Sequence, residues 1–206
     1  MKTALVTGVS QGIGKAICAR LVSEGYFVYG TYNTHKQEAE DLKEDLKNIE
    51  LLQADFSDRA QLLKMIDSLQ DKHLDVIVNN AGVIIFEDFD ELTLEAWDKT
   101  WRVNLDAPFI ISHGLRNNLN EGGCIVNIAS TDGMVGSYGS IAYSATKAAL
   151  INITKSLANV MAKRRVRVNA IAPGWVGPAW IRRLLSMLRS CVRLAERLRM
   201  KSLQTR

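Results

Sequence analysis

Tyr143 and Lys147 are the side chains of this sequence whose types and spacing best suit proton transfer. They lie four residues apart at the start of a stretch of helical period near 143–163, and residues so spaced share one helix face. A free phenol has a pKa of about 10, and a neighbouring ammonium would lower it by stabilising the phenolate. Ser130 follows an apolar run, and its hydroxyl can hold a substrate oxygen. These three residues predict acid–base chemistry on a carbonyl or alcohol, although the Tyr–Lys pair alone is also common on helix surfaces.

A glycine-rich turn directly follows the first strand-like run and precedes a helical stretch. It comprises Gly8, Ser10, Gln11, Gly12, Ile13 and Gly14. Glycine allows a tight turn and close approach of the backbone to phosphate, and the N–H groups at a helix N-terminus bind anions. The spacing is GxxxGxG with no following Lys-Ser or Lys-Thr, which argues against a nucleotide triphosphatase loop. The turn predicts a dinucleotide site.

The end of the second strand-like run indicates which dinucleotide binds. Sites specific for NAD usually place a carboxylate here to accept hydrogen bonds from the ribose 2′-hydroxyl. This sequence has no acid between Thr31 and Gln37, and offers Asn33, Thr34, His35 and Lys36 instead. The pattern favours NADP over NAD, with the alternative that His35 and its neighbour are simply exposed residues at the start of a helix.

These residues sit between alternating strand-like and helical segments that run through most of the 206-residue chain. Predicted helices lie near 12–24, 36–48, 58–71, 93–118 and 143–163. The strands are predicted at Lys2–Thr7, Tyr26–Tyr32, Glu50–Ala54, Leu74–Asn79, Cys124–Ala129 and Arg167–Ile171. Because the strands are continuously apolar, both faces should be covered by helices. The pattern predicts an α/β fold with a Rossmann-type, doubly wound parallel sheet of about six strands.

Taken together, these motifs resemble the short-chain dehydrogenase/reductase family, and most closely its 3-oxoacyl-[acyl-carrier-protein] reductase branch. The residues that carry the resemblance occur in the family's order over 1–177. They are Thr7–Gly14, Asp55, Asn79–Gly82, Asn104, Ser130, Tyr143, Lys147 and Pro173-Gly174. The resemblance implies an NAD(P)-dependent oxidoreductase that interconverts a carbonyl and an alcohol.

The resemblance also implies a role for each catalytic residue. Tyr143 would donate or accept the proton, and Ser130 would orient the substrate oxygen. Lys147 would bind the ribose hydroxyls of the nicotinamide and lower the tyrosine pKa, while Asn104 would hold a water in the proton relay.

Further cofactor contacts are implied along the sheet edge. Asp55 and the adjacent Phe56 would contact the adenine. Three more residues, Asn80, Ala81 and Gly82, would brace the sheet beneath the cofactor. The nicotinamide carboxamide would lie near Pro173, Gly174 and Val176.

The sequence departs from the family pattern after Val176. No strand-like run follows Ile171, so the seventh strand of the family is predicted to be missing. We therefore divide the chain into a catalytic domain, 1–177, and an atypical tail, 178–206.

The tail holds eight Lys and Arg residues against a single acid, Glu196, which accounts for the net charge of +4. It is predicted to form a basic amphipathic helix that packs its apolar side on the sheet or on a neighbouring subunit. Two alternatives stay open: a surface for nucleic acid or membrane, and a change of reading frame.

Two functions remain open from the sequence. The first is an active NADP-dependent carbonyl reductase, with a 3-oxoacyl thioester as one candidate substrate. The second is a cofactor-binding but catalytically impaired module that acts through protein interactions. A small-molecule substrate, no metal, no nucleic-acid or membrane partner and a cytoplasmic location are expected. A homodimer is also expected, because the missing strand often contributes to the family's tetramer.

Overall fold

A parallel β-sheet forms the centre of the computed structural model, which describes residues 1–174 and 184–192. Its strands are β1 (Lys2–Val6), β2 (Tyr26–Tyr32), β3 (Ile49–Gln53), β4 (Leu74–Asn79), β5 (Leu119–Ile128) and β6 (Arg167–Ile171). Within the described residues the spatial order is β3-β2-β1-β4-β5-β6, and every neighbouring pair is parallel. The predicted fold class is confirmed. The winding direction reverses between β1 and β4, and such a reversal opens a crevice at the carboxyl ends of the strands.

Helices cover both faces of this sheet. They are α1 (Gly12–Ser23), α2 (Lys36–Leu46), α3 (Arg59–Asp67), α4 (Leu94–Trp101), α5 (Ala107–Gly114), α6 (Asp132–Val135), α7 (Ile141–Met161) and α8 (184–192). One core lies between the sheet and α1, α2 and α8, and the other lies between the sheet and α3, α5 and α7. Leu21 and Leu62 are representative of the two cores, and each is about 1% exposed. Burial on both faces explains why the strand sequences are continuously apolar.

The segment predicted as one helix over 93–118 is interrupted. It divides into α4, a π-helical turn at Arg102–Asp106, and α5, and β5 then begins at Leu119 rather than Cys124. A π-helical turn inserts one extra residue into a helix and often occurs at a functional site. Here it carries Asn104, whose side chain is completely buried. The short helix α6 was not predicted from the sequence.

Part of the predicted tail helix is present as α8. Leu184, Leu188 and Val192 are buried in the same core as α1, and the Arg189 guanidinium lies 3.3 Å from the Glu24 carboxylate. In this stretch the apolar side packs on the sheet layer, as the preferred interpretation predicts. Residues 175–183 and 193–206, which include Val176, the proposed boundary at 177 and the rest of the tail, lie outside the described residues.

A buried polar network joins two neighbouring strands of the sheet to α7. Asn79 and Asn127 are register partners on β4 and β5, and the Asn79 amide donates to Asn127 Oδ1 at 2.8 Å. The Asn127 amide in turn donates to the Thr154 hydroxyl at 2.8 Å. All three side chains are buried. Because a buried polar group is costly when it is left without a partner, this chain of bonds fixes how α7 sits on the sheet.

The substitution Thr154→Val should therefore lower the free energy of unfolding by about 1–3 kcal/mol, since it leaves the buried Asn127 amide without its acceptor. Thr100→Val is the matched control. Both hydroxyls donate to a carbonyl four residues earlier in their helix, but only Thr154 also accepts from a second side chain. Urea unfolding of both variants measures the difference. Equal losses in the two variants would show that the network contributes nothing beyond the loss of one hydroxyl.

Candidate active site

Four predicted catalytic residues come from three separate segments at the carboxyl edge of the sheet. Tyr143 and Lys147 lie in the first turns of α7, Ser130 lies two residues after β5, and Asn104 lies in the π-helical turn. Ser130, Tyr143 and Lys147 line one cleft of about 370 Å³, which we call the catalytic cleft. Asn104 does not line this cleft, but it bonds to Val83, which does.

The ammonium of Lys147 is buried beside the tyrosine ring. Its Nζ lies 5.5 Å from the centre of the Tyr143 ring and donates to the Ile128 carbonyl at the end of β5, at 2.7 Å. Burial lowers the pKa of Lys147 from 10.5 to about 8, because a charged amine is poorly solvated there. The side chain is 4% exposed. The predicted shared face of the helix is therefore present, with the lysine held by the backbone of the sheet.

The Tyr143 phenol has a raised pKa in this structure. Burial is the largest cause, a hydrogen bond with the Ser130 side chain opposes it, and the Asp132 carboxylate raises the pKa further. Burial of the phenol outweighs its hydrogen bond with the serine. The lowering expected from Lys147 together with a positively charged nicotinamide ring stays a prediction.

Asn104 uses its amide to hold the loop that follows β4. Its Oδ1 accepts from the Val83 N–H and its Nδ2 donates to the Val83 carbonyl, each at 2.8 Å. The amide also reaches the Thr146 hydroxyl, which lies between the tyrosine and lysine positions on α7, at 3.3 Å. Asn104 thus ties three parts of the site together. Its role in holding a water stays a prediction.

The glycine turn has the predicted backbone conformation. Gly8 and Gly12 have φ angles of +72° and +58°, which residues other than glycine rarely adopt. A Cβ on Gly14 would lie 1.9 Å from the Gly8 carbonyl oxygen. The Asn80 amide bonds to the carbonyls of Thr7 and Gly8, at 2.9 and 3.1 Å. The turn is thereby fixed to the end of β4.

A second cleft, of about 420 Å³, lies beside the glycine turn and adjoins the catalytic cleft at Asn80, Gly82 and Val83. The N-terminus of α1 opens at this turn with no side-chain cap and no acid in its first turn. Predicted cofactor contacts that line the second cleft are Gly8, Ser10, Gln11, Asn33, Thr34, Asp55, Phe56, Asn80, Ala81 and Gly82. Ile13, Pro173 and Gly174 line the catalytic cleft instead. The two clefts together form a continuous path along the sheet edge that fits an extended dinucleotide.

Asp55 is held in place at the outer end of this path. Its Oδ1 accepts from both the backbone and the hydroxyl of Ser57, at 2.8 and 2.7 Å. Burial alone would raise the pKa of the Asp55 carboxyl, but these bonds and one from Asn33 outweigh it and lower the pKa below its ordinary value. The carboxylate is therefore available as a hydrogen-bond acceptor.

Sequence reasoning missed two charged residues in the clefts. Lys99, on α4, lines the second cleft and electrostatically lowers the pKa of Asp55. Asp132, at the start of α6, lines the catalytic cleft. Neither belongs to a motif, and only the packing of α4 and α6 brings them to the site. The position of Asp132 two residues after Ser130 was the one available signal.

Comparisons with known proteins agree with this geometry. The profile of the short chain dehydrogenase family matches residues 2–187. The chain belongs to this family. Its resemblance to 3-oxoacyl-[acyl-carrier-protein] reductases and its assignment as an oxidoreductase are confirmed by curated relatives.

One such relative is the 3-oxoacyl-[acyl-carrier-protein] reductase FabG of Staphylococcus aureus, which is 38% identical over 183 residues, or 85% of this chain and 74% of the relative. Another is an acetoacetyl-CoA reductase of Rhizobium meliloti, 35% identical over 88% of this chain and 76% of the relative. Among solved structures, a blue fluorescent protein from a metagenomic library in complex with NADPH has a TM-score of 0.80 and 34% identity, covering 84% of this chain and 74% of that one.

Within residues 1–174 and 184–192, no helix is both long enough and apolar enough to cross a membrane. The cytoplasmic location and the homodimer stay predictions.

The depressed pKa of Lys147 has a consequence for stability. The folded protein binds this proton less tightly than the unfolded chain does, so the ammonium destabilises the fold fully below pH 8 and less as the pH rises to 10.5. Lys147→Met should therefore raise the free energy of unfolding at pH 7 by about 2 kcal/mol. The gain should shrink between pH 8 and 10.5.

Lys155→Met is the control, because it makes the same change at an exposed position of the same helix. Urea unfolding across pH 6–10 measures both variants against the parent. A pH-independent difference at Lys147 would contradict the burial of a charged amine.

Proposed function

We propose that this protein reduces a carbonyl compound to an alcohol with NADPH, and that Tyr143 is the general acid. The observation that carries the proposal is the convergence of Ser130, Tyr143 and Lys147 on one cleft that adjoins the cleft at the glycine turn. The adjoining clefts would place a proton donor, Tyr143, beside a groove for a dinucleotide. NADPH would supply the hydride, and the protein would contribute orientation and electrostatics.

The residues present fit a dinucleotide. The positive φ angles of Gly8 and Gly12, and the lack of room for a side chain at Gly14, leave the backbone of the turn open to a pyrophosphate at the uncapped start of α1. Lys147 would hold the ribose hydroxyls beside the nicotinamide. Asp55 would accept hydrogen bonds at the adenine end.

The choice of NADP rests on the wall of the second cleft at the end of β2. Asn33, Thr34 and His35 form this wall, and none of them would repel a 2′-phosphate as a carboxylate would. The solved relative named above was crystallised with NADPH, which supports the same choice.

Burial keeps the Tyr143 phenol protonated at neutral pH by raising its pKa, so it has a proton to give to the oxygen of the reduced carbonyl. Lys147 and the positively charged ring of the oxidised nicotinamide would lower this pKa toward the working pH and make the transfer easier. The hydrogen bond between Ser130 and Tyr143 supports a joint role for the two hydroxyls at one substrate oxygen. Because curated relatives act on 3-oxoacyl and acetoacetyl thioesters, we propose a 3-oxoacyl thioester as the first substrate to test.

Tyr143→Phe should lower kcat by about 10²–10⁴-fold, the usual contribution of a positioned general acid. NADPH affinity should change little, because the ring is kept. Tyr138→Phe is the matched control, since Tyr138 is 96% exposed and should retain full activity. NADPH oxidation with acetoacetyl thioesters and fluorescence titration of NADPH provide the two measurements. Cofactor binding without turnover by the parent protein would instead support the cofactor-binding module.

The cofactor preference is tested by placing a carboxylate at the end of β2. Asn33→Asp keeps the side-chain size but adds a negative charge to the cleft wall, and it also removes the hydrogen bond from Asn33 to Asp55. Effects at the adenine end are common to both cofactors, so the kcat/KM ratio of NADPH to NADH reports the repulsion of the 2′-phosphate and should fall at least about tenfold. Asn48→Asp makes the same change at an exposed position outside both clefts. An unchanged NADPH-to-NADH ratio in the Asn33→Asp variant would show that the 2′-phosphate does not bind beside Asn33.

A further inference from the structure

The catalytic cleft contains a carboxylate that the proposed proton transfer does not use. Among the described residues that line this cleft, the charged side chains are Lys147 and Asp132. Lys147 is buried and bonded to the Ile128 carbonyl. Asp132 is partly exposed, and within residues 1–174 and 184–192 its carboxylate forms no ion pair. Among these described lining residues, the accessible charge is therefore negative.

The backbone fixes the position of Asp132. Its N–H donates to the Ser130 hydroxyl oxygen at 3.1 Å, so the aspartate is tied to the residue proposed to hold the substrate oxygen. The next residue, Gly133, packs directly against α7, where an added Cβ would lie 2.6 Å from the Lys147 carbonyl carbon. The first turn of α6 is thus held between Ser130 and Lys147. A substrate whose carbonyl lies between Ser130 and Tyr143 would have this carboxylate nearby.

The electrostatic effect of Asp132 on the site is already present in the structure. Its charge contributes to the raised pKa of the Tyr143 phenol, which shows that the field of the carboxylate reaches the proposed proton donor. The other walls of the cleft include the apolar side chains Val83, Ile84 and Phe86. The cleft therefore combines an apolar wall with one acceptor close to the reacting position.

We propose that Asp132 is a specificity-determining residue, which favours carbonyl substrates with a hydrogen-bond donor or a positive charge beside the carbonyl and disfavours those with a carboxylate there. This inference rests on the proposed reductase function. It is compatible with a 3-oxoacyl thioester, because the thioester group is neutral, but it predicts poor reduction of a substrate with a free acid at the same position. Ile84 and Phe86 would pack against the apolar part of the substrate.

The test uses three ethyl 3-oxo esters that differ only in the group on carbon 4. One carries a trimethylammonio group, one carries the neutral tert-butyl group of the same shape, and one carries a carboxylate. The full chain is assayed with NADPH, and kcat/KM is compared as cation-to-neutral and anion-to-neutral ratios. Asp132→Asn keeps the side-chain size and the backbone N–H while removing the charge. We expect the cation-to-neutral ratio to fall about tenfold and the anion-to-neutral ratio to rise, as expected for Coulomb interaction at a partly exposed site.

Ratios within one variant cancel general losses from misfolding, and comparison of each ratio between the parent and a variant cancels the differences in intrinsic reactivity of the three ketones. Asp132→Glu should keep most of the parent ratios, because it retains the charge. Asp90→Asn, at an exposed position outside the residues that line the cleft, should leave them unchanged. Equal ratios in the parent and in Asp132→Asn would overturn the inference while leaving the reductase function intact. Failure of the parent to reduce any 3-oxo ester or thioester would overturn the proposed function itself.

Discussion

The hydrogen bond from the Lys147 ammonium to the Ile128 carbonyl joins the helix that carries the proposed acid to the strand that carries its serine partner. A buried cation needs such a partner, because removing it from water without one costs several kcal/mol. The bond sets the position of α7 along the end of β5. Tyr143, one helical turn earlier, is then placed beside Ser130. The low pKa of the lysine is the measure of what this placement costs in stability.

The rest of the molecule supports that contact from both sides. The buried bonds from Asn79 through Asn127 to Thr154 hold α7 on the sheet further along the helix. On the other side, Asn104 joins the π-helical turn to the loop after β4 and to α7. Because polar groups in these positions have few alternative partners, the site is held in one arrangement. Stability and site geometry therefore depend on the same bonds.

The parallel topology brings the two clefts together. All carboxyl ends of the strands lie on one edge, and the reversal between β1 and β4 separates the loops that follow them. Asn80 bonds to the glycine turn after β1 from its position after β4, so the two loops form a common floor. The groove for the cofactor and the groove for the substrate meet at this floor. Any ligand that spans both would have its reacting end beside Tyr143 and the Asp132 carboxylate.

The sequence alone determined the order of the strands and of most helices, the glycine turn and the candidate catalytic residues, because periodicity and motif spacing are local properties of the chain. The strands Tyr26–Tyr32, Leu74–Asn79 and Arg167–Ile171 have the predicted bounds. The family assignment also followed from motifs that could be compared residue by residue.

Only the tertiary structure decided the electrostatics of the site. Burial raises the pKa of Tyr143 and lowers that of Lys147, and the extent of burial depends on how α7 packs on β5. Asp132 and Lys99 line the clefts because α6 and α4 pack at this edge of the sheet. The π-helical turn at Arg102–Asp106 was not predicted from the sequence either. It carries Asn104, whose bonds are to segments distant in sequence. Spacing along the chain indicates the candidate reacting groups, whereas their ionisation depends on neighbours that only folding brings together.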